Sequence, residues 1–107
     1  MNITSFSAET TSECSEQTQN PVYLDISWSS ENGVAAYFAV GATNDAQNNG
    51  MGWTLPPSGN QNDFPNGYVP YEFQCGNASS DYTITVVGTN GSKESKTVTV
   101  ENTGDQF

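Results

Sequence analysis

The sequence contains neither histidine nor arginine, and these absences exclude several classes of function. Without histidine the chain cannot build Ser-His-Asp or Cys-His nucleophile systems or imidazole metal sites. The basic residues are Lys93 and Lys96 against 12 acidic ones, which gives a formal net charge of −10. Phosphate backbones and anionic membrane surfaces attract clustered lysine and arginine, so we expect neither nucleic acid nor a membrane as a partner.

Long hydrophobic runs and helical patterns are also missing. No stretch of about 18 apolar residues occurs, so no segment is expected to span a bilayer. The N-terminal residues lack the basic and apolar regions of a signal peptide, and we interpret Met1 as the start of a fragment expressed from a longer secreted chain. No window has the 3.6-residue period of an amphipathic helix, which leaves strands and loops.

The length of 107 residues predicts one domain, and its 5 Phe, 5 Tyr and 2 Trp can form a thin β core. We expect residues 1–20 to form an N-terminal strand and a loop, and residues 103–107 to be linker. The clearest pattern is a β-hairpin from Asp81 to Val100, because apolar residues alternate with threonine in both arms. Asn90-Gly91 between the arms is typical of a tight turn.

Four other segments carry apolar residues at strand-like spacing: Ile3–Ala8, Val22–Trp28, Val34–Val40 and Tyr68–Cys75. Val34–Val40 is apolar on both faces, so we predict that it lies in the middle of a sheet. Residues 41–67 are rich in Asn, Gly and Pro, and form either a functional loop or a loop with a short edge strand at Met51–Leu55. Six or seven strands without a helix predict an all-β, antiparallel two-sheet sandwich.

Cys14 and Cys75 are the two cysteines of the chain. Two distant cysteines in a small acidic domain predict one disulfide and an oxidising, extracellular or cell-surface compartment. The alternative is a pair of reduced core thiols in a cytosolic protein. We also expect Trp28 to close the core beside the disulfide.

Three segments together resemble an immunoglobulin-like β-sandwich domain of secreted and cell-surface bacterial proteins, particularly those of actinobacteria: LDISWSS, YEFQCGNASSDYTITVVG and KTVTVEN. Tyr82 occupies the position near the start of the penultimate strand where such sandwiches often carry a tyrosine. The chain departs from antibody domains because neither cysteine lies on the strands that carry the usual bridge. The resemblance covers residues 20–102 and implies a spacer or adhesion module, although fold alone does not decide function.

The long loop and its flank contain aromatic candidates for a binding surface among many amides: Trp53, Phe64, Tyr68 and Tyr71. Aromatic rings stack on sugar C–H groups while amides bond the hydroxyls. The alternative, which we favour, is that Trp53 and Phe64 cap the open end of a small core.

Two further chemistries remain open at the sequence level. Oxygen ligands for calcium occur in the loop, although turn-forming Asx residues explain them without a metal: Asn44, Asp45, Asn48, Asn49, Asn60, Asn62 and Asp63. Lys96 could form an isopeptide crosslink with an asparagine, but most strand lysines are exposed guards of a sheet edge. We commit to neither, and expect no metal and no cofactor.

The sequence therefore predicts a non-catalytic, extracellular immunoglobulin-like module that spaces or displays neighbouring domains or binds another protein. Acid pairs for glycoside hydrolysis arise by chance among 12 acidic residues, and so small a sandwich has little room for a substrate cleft. The alternative is a carbohydrate-binding module that uses the aromatics of residues 41–71. We expect a monomeric module with a protein or polysaccharide surface as its partner.

Overall fold

The computed structural model describes residues 1–15, 22–65 and 72–104, which contain seven strands, one short α-helix and one 3-10 turn. The strands are β1 (Asn2–Thr10), β2 (Val22–Glu31), β3 (Gly33–Val40), β4 (Gly59–Asn60), β5 (Glu72–Phe73), β6 (Ser79–Gly88) and β7 (Lys93–Glu101). The helix α1 spans Ala46–Asn49, and the 3-10 turn spans Gln61–Asp63.

The strands form two sheets in which every strand pairing is antiparallel. Sheet I has the order β1-β2-β4, and β5 also pairs with β2. Sheet II has the order β3-β6-β7. The predicted all-β, two-sheet antiparallel sandwich is confirmed.

The core lies between the sheets and follows the period-two pattern of the sequence. In β2, Val22, Leu24, Ile26 and Trp28 are buried while the residues between them are exposed. Strand β6 contributes the buried residues of the facing sheet: Tyr82, Ile84 and Val86. Full burial of such side chains stabilises the fold by about 1.5–3 kcal/mol each, which makes this interface the main source of stability.

The prediction that β3 lies in the middle of its sheet is wrong, because the central strand is β6. The free edge of β3 is covered by the loop instead: Ala36 and Leu55 exchange two backbone hydrogen bonds of 2.9 Å, and the Met51 N–H donates to the Phe38 carbonyl at 3.0 Å. The predicted edge strand Met51–Leu55 is thus reduced to an isolated bridge at Leu55. The loop therefore pairs part of the free edge of β3, while α1 also contacts this strand.

Part of the outer face of sheet II, over β3 and β6, is covered by α1, which the sequence did not predict. Thr83 and Thr85 of β6 are fully buried there, although they alternate with the core residues. The Thr83 hydroxyl donates to the Gly41 carbonyl at 2.9 Å, and the Ala46 N–H donates to the Thr85 hydroxyl at 2.9 Å. Two buried threonines therefore anchor the start of the long loop.

The hairpin between β6 and β7 turns at the predicted Asn90-Gly91. The Gly91 N–H donates to the Gly88 carbonyl at 3.1 Å, and the Gly88 N–H donates to the Ser92 carbonyl at 2.8 Å. Gly91 has φ +80°, whereas Asn90 stays at negative φ. This is the three-residue hairpin loop with glycine at the left-handed position, and glycine is needed at this one site.

The two ends of the described chain lie at opposite ends of the molecule. Met1 is next to Gly88, where β6 turns into β7. Gly104 packs on the backbone of Cys14, beyond the far end of β1. Strands β1 and β7 therefore run in the same direction along a body of 48 × 24 × 21 Å. The predicted linker 103–107 starts at this far end; residues 105–107, like the predicted loop residues 16–20, fall outside the described part.

Candidate functional site

Phe64 lies at the centre of an aromatic cluster in the core. Its ring centroid is 5.1 Å from that of Phe38, 5.6 Å from that of Trp53 and 6.0 Å from that of Trp28. Phe64 is buried at 7% exposure, and Trp53 is partly buried against the same cluster. The cluster therefore closes one end of the core.

The segment before Phe64 is fixed by its own polar side chains. The Asn60 N–H donates to the Asp63 carboxylate at 3.0 Å, and the Asn62 N–H donates to the Asn60 side-chain oxygen at 2.8 Å. These reciprocal bonds form a capping box around the 3-10 turn. Farther back, the Trp28 indole N–H donates to the Pro56 carbonyl at 2.9 Å, which ties the loop to β2.

These contacts show where two of the four aromatic candidates, Trp53 and Phe64, lie. Buried Phe64 offers no ring face on which a sugar could stack, and Trp53 presents only part of its surface. Tyr68 and Tyr71 lie outside the described residues. For Phe64 the geometry fits the interpretation that it caps the core.

A shallow polar groove lies on the outer face of sheet I, a surface that no sequence pattern had indicated as a binding groove. It encloses about 320 Å³, and its lining is almost entirely hydroxyl, amide and carboxylate groups: Ser7, Glu9, Asp25, Ile26, Ser27, Asn60, Gln61 and Asn62. Trp53 and Phe64, the predicted aromatics within the described residues, are not part of this lining. The sequence feature that could have indicated the groove is the row of exposed residues that alternates with the buried residues of β2.

Gln61 is held rigidly across one wall of the groove. Its side-chain oxygen accepts from the Ile26 N–H at 2.9 Å, and its amide donates to the Asp25 carboxylate at 3.3 Å. Glu9 lies directly opposite Asp25 in the β1–β2 ladder. The groove can therefore offer fixed acceptors and amide donors to a polar, uncharged or cationic ligand.

The predicted disulfide is present and joins the connection after β1 to the connection before β6. Cys14 and Cys75 are buried, with their Cα atoms 5.7 Å apart. Neither cysteine lies on a strand; the prediction that Cys75 ends a strand Tyr68–Cys75 is wrong, because β5 already ends at Phe73.

The expectation that Trp28 lies beside this disulfide is wrong. Cys75 follows Phe73, which pairs with Val22 at the start of β2. Trp28 is six residues farther along that strand, or about 20 Å at 3.3 Å per residue.

The proposed calcium ligands largely serve as caps and turn formers. Asp45 caps α1 by accepting from the Asn48 backbone and side chain, and it forms a 3.2 Å ion pair with Lys93. The hydrogen bond from the Asn48 side chain and, to a smaller extent, the one from Lys93 lower the pKa of the Asp45 carboxyl below its usual value. Within the described residues no group of three or more acidic or cysteine side chains is arranged to hold a metal.

Lys96 lies on the side of β7 that faces the core, since it pairs with buried Ile84, but it is exposed at the open seam beside β1. A neighbouring acid, Glu94, accepts from the Ile3 N–H of β1 at 3.0 Å. Inward-pointing charges of this kind protect a sheet edge. The position of Lys96 fits a residue that protects the sheet edge better than one that forms a buried isopeptide crosslink.

Tyr82 is buried between the sheets, and its hydroxyl donates to the Glu72 carbonyl at 2.9 Å. Burial raises the pKa of this phenol above its usual value. The hydrogen bond ties the start of β6 to β5, and so connects sheet II to sheet I close to the disulfide.

Comparison with known proteins assigns no family to this architecture. No protein-family model matches the chain, and no significant match was found among curated proteins or solved structures. Among the described residues, no helix is long and apolar enough to cross a membrane.

Proposed function

We propose that this protein is a non-catalytic, extracellular, immunoglobulin-like module that spaces or displays neighbouring domains. The division of its strands between the two sheets supports the immunoglobulin-like part of this proposal. Immunoglobulin constant-type sandwiches place their first, second, fourth and fifth strands in one sheet and their third, sixth and seventh in the other. Strands β1, β2, β4 and β5 against β3, β6 and β7 follow the same division.

The observation that carries the spacing role is the separation of the chain ends. Positions 1 and 104 lie beyond opposite ends of strands β1 and β7, in a body of 48 × 24 × 21 Å. Copies or neighbours joined through these positions would extend end to end. A buried disulfide supports an oxidising, extracellular compartment.

The test is the length of tandem proteins, measured by small-angle X-ray scattering on two, three and four directly joined copies of the whole chain. We expect the maximum dimension to grow by at least about 30 Å per copy, which is the span of the nine-residue strands β1 and β7 at about 3.3 Å per residue. Growth near the short dimensions of 21–24 Å would overturn the spacing role. A matched tandem with flexible Gly/Ser linkers of about 20 residues provides the control for disordered connection.

A second candidate function, binding of a neutral saccharide, is favoured by one observation on sheet I. Tyr23 is 51% exposed and lies two residues from Asp25 on the same outer face of β2, beside the polar groove. An aromatic ring next to fixed amide and carboxylate groups is what sugar recognition needs. This site differs from the aromatics of residues 41–71 that the sequence suggested.

This second candidate is tested on immobilised polysaccharides with Tyr23→Ala and Asp25→Asn. Both substitutions should abolish retention while leaving the melting temperature nearly unchanged, because both side chains are exposed. Val40→Ala, a similarly exposed position at 55%, is the matched control and should retain binding. Wild-type protein that binds no polysaccharide in the panel would reject the candidate.

A further inference from the structure

The disulfide changes which part of the chain would carry tension between the two ends. Tension applied at positions 1 and 104 would pass along residues 1–14, cross from Cys14 to Cys75, and continue through residues 75–104. Strands β1, β6 and β7 lie on this path. Residues 15–74, which contain β2 to β5, lie in a loop that the bridge closes off.

The segment through which tension would enter lies against the backbone of both bridged cysteines. Cys14 is 3% exposed and Cys75 is fully buried. The Asn102 side-chain amide donates to the Cys75 carbonyl at 3.2 Å and to the Asn77 carbonyl at 3.1 Å, and Gly104 packs on the Cys14 backbone. A pull on position 104 therefore acts first on contacts that hold the backbone of the two bridged cysteines.

We propose that Cys14–Cys75 is a tension-exposed redox switch that sets how far the module can be stretched. The proposal rests on the spacing function. In the folded module the bridge is shielded from thiols. Tension removes residues 102–104 and exposes it, and a dithiol reductant then cleaves it and releases the closed-off loop.

The chemical step is thiol–disulfide exchange. A reductant thiolate attacks one sulfur of the bridge, the S–S bond breaks, and the other cysteine leaves as a thiolate. The second thiol of the reductant then displaces the first cysteine, so both cysteines become reduced while the reductant becomes a disulfide. Access of the attacking thiolate limits the rate, and tension changes that access.

The two stages have distinct lengths. With the bridge intact, unfolding can extend only residues 1–14 and 75–104, a gain of about 100 Å over the folded body at about 3.6 Å per residue. Cleavage of the bridge releases the sequence separation of 61 residues, a further gain of about 200 Å.

The experiment is single-molecule force spectroscopy on a tandem of whole chains, without and with dithiothreitol. Without reductant we expect steps of about 100 Å per module and no longer ones; with reductant, each such step should be followed by one of about 200 Å. Steps of about 300 Å in oxidised protein would overturn the proposal, because the bridge would then not divide the chain. Release of about 200 Å that does not require the first step would overturn it too.

Reduction without tension tests the shielding, and it needs no disulfide variant. Thiol release from folded wild-type protein in dithiothreitol should be slow, and Asn102→Ala should accelerate it at least several-fold. The substitution removes the side-chain hydrogen bonds to Cys75 and Asn77 and the one that the Gly104 N–H donates. Asn90→Ala in the exposed hairpin is the matched control and should leave the rate unchanged. Equal rates for wild type and Asn102→Ala would overturn the covering role.

This outcome is separable from that of the proposed function. Scattering lengths of the tandems report whether the ends lie apart and do not depend on reduction of the bridge. If the maximum dimension of the tandems grows by only 21–24 Å per copy, the spacing function is rejected, even if the modules extend in two stages. If the tandems have the expected length but each module extends in a single step, only the redox switch is rejected.

Discussion

At the scale of single residues, Phe64 carries more of the aromatic packing than either tryptophan, because the rings of Phe38, Trp28 and Trp53 all lie around it. Phe64→Ala should therefore leave a cavity and lower the free energy of unfolding by about 3–5 kcal/mol. Trp53→Ala should cost less, about 1–3 kcal/mol, since Trp53 is only partly buried. Urea unfolding measures both values.

The effect of Trp53→Ala also distinguishes the two interpretations of the long loop, a ligand-binding surface and a cap on the core. If Trp53→Ala left stability unchanged and removed binding to a polysaccharide, Trp53 would be a ligand residue and not part of the core. Val34→Ala is the matched control: it removes a 51% exposed side chain, and its cost should stay within about 0.5 kcal/mol.

At the scale of the element, the β6–β7 hairpin depends on one left-handed residue. Gly91 has φ +80°, and a Cβ added there would meet no heavy atom within 4 Å. Gly91→Val should thus cost mainly backbone strain, about 1–3 kcal/mol, since its Cβ meets no neighbour. Thermal unfolding checks this, and Thr89→Val at negative φ in the same loop should be nearly neutral. Equal melting temperatures for both variants would mean that the loop tolerates another turn type.

The strands that the sequence predicted well are those with one buried face and regular alternation, such as β2 and β6. Strand β1 gave no decisive alternation because its pairing with β2 shifts register between Ile3 and Ser5. This irregularity lets both Ile3 and Phe6 face the core, three residues apart. A bulge of this kind breaks the period of two, so a pattern search cannot assign the faces of the strand.

Long-range packing explains the other differences from the sequence prediction. Helix α1 is a single turn, and it is held by the Asp45 cap and by Thr85 of β6, 39 residues away in the chain. No local periodicity marks so short an element. The apolar outer face of β3 indicated burial correctly, but the sequence could not show that a loop, and not a strand, covers its edge.

At the scale of the whole molecule, the polar groove was missed for a related reason. Its walls come from β1, β2 and the 3-10 turn, which are separated in sequence by up to about 50 residues, and none of the segments has a functional motif of its own. The disulfide was predictable because composition alone suggested it. Its importance for the path of tension depends on the strand order, which the cysteine positions do not reveal.

The last prediction concerns the contribution of the disulfide to stability. The bridge closes a loop with a sequence separation of 61 residues, which the chain-entropy model values at about 4 kcal/mol. Because small domains are stable by only about 5–15 kcal/mol, a protein with Cys14→Ser and Cys75→Ser should remain folded at 25 °C only with a narrow margin. Guanidinium unfolding of wild type, reduced wild type and the double variant measures the loss, and mass spectrometry of the unreduced protein checks that two hydrogens are missing. The two bridge-free proteins should agree, since both lose the same constraint on the unfolded chain. A loss below about 1 kcal/mol would mean that the unfolded chain stays compact without the bridge, so that closing the loop removes little entropy.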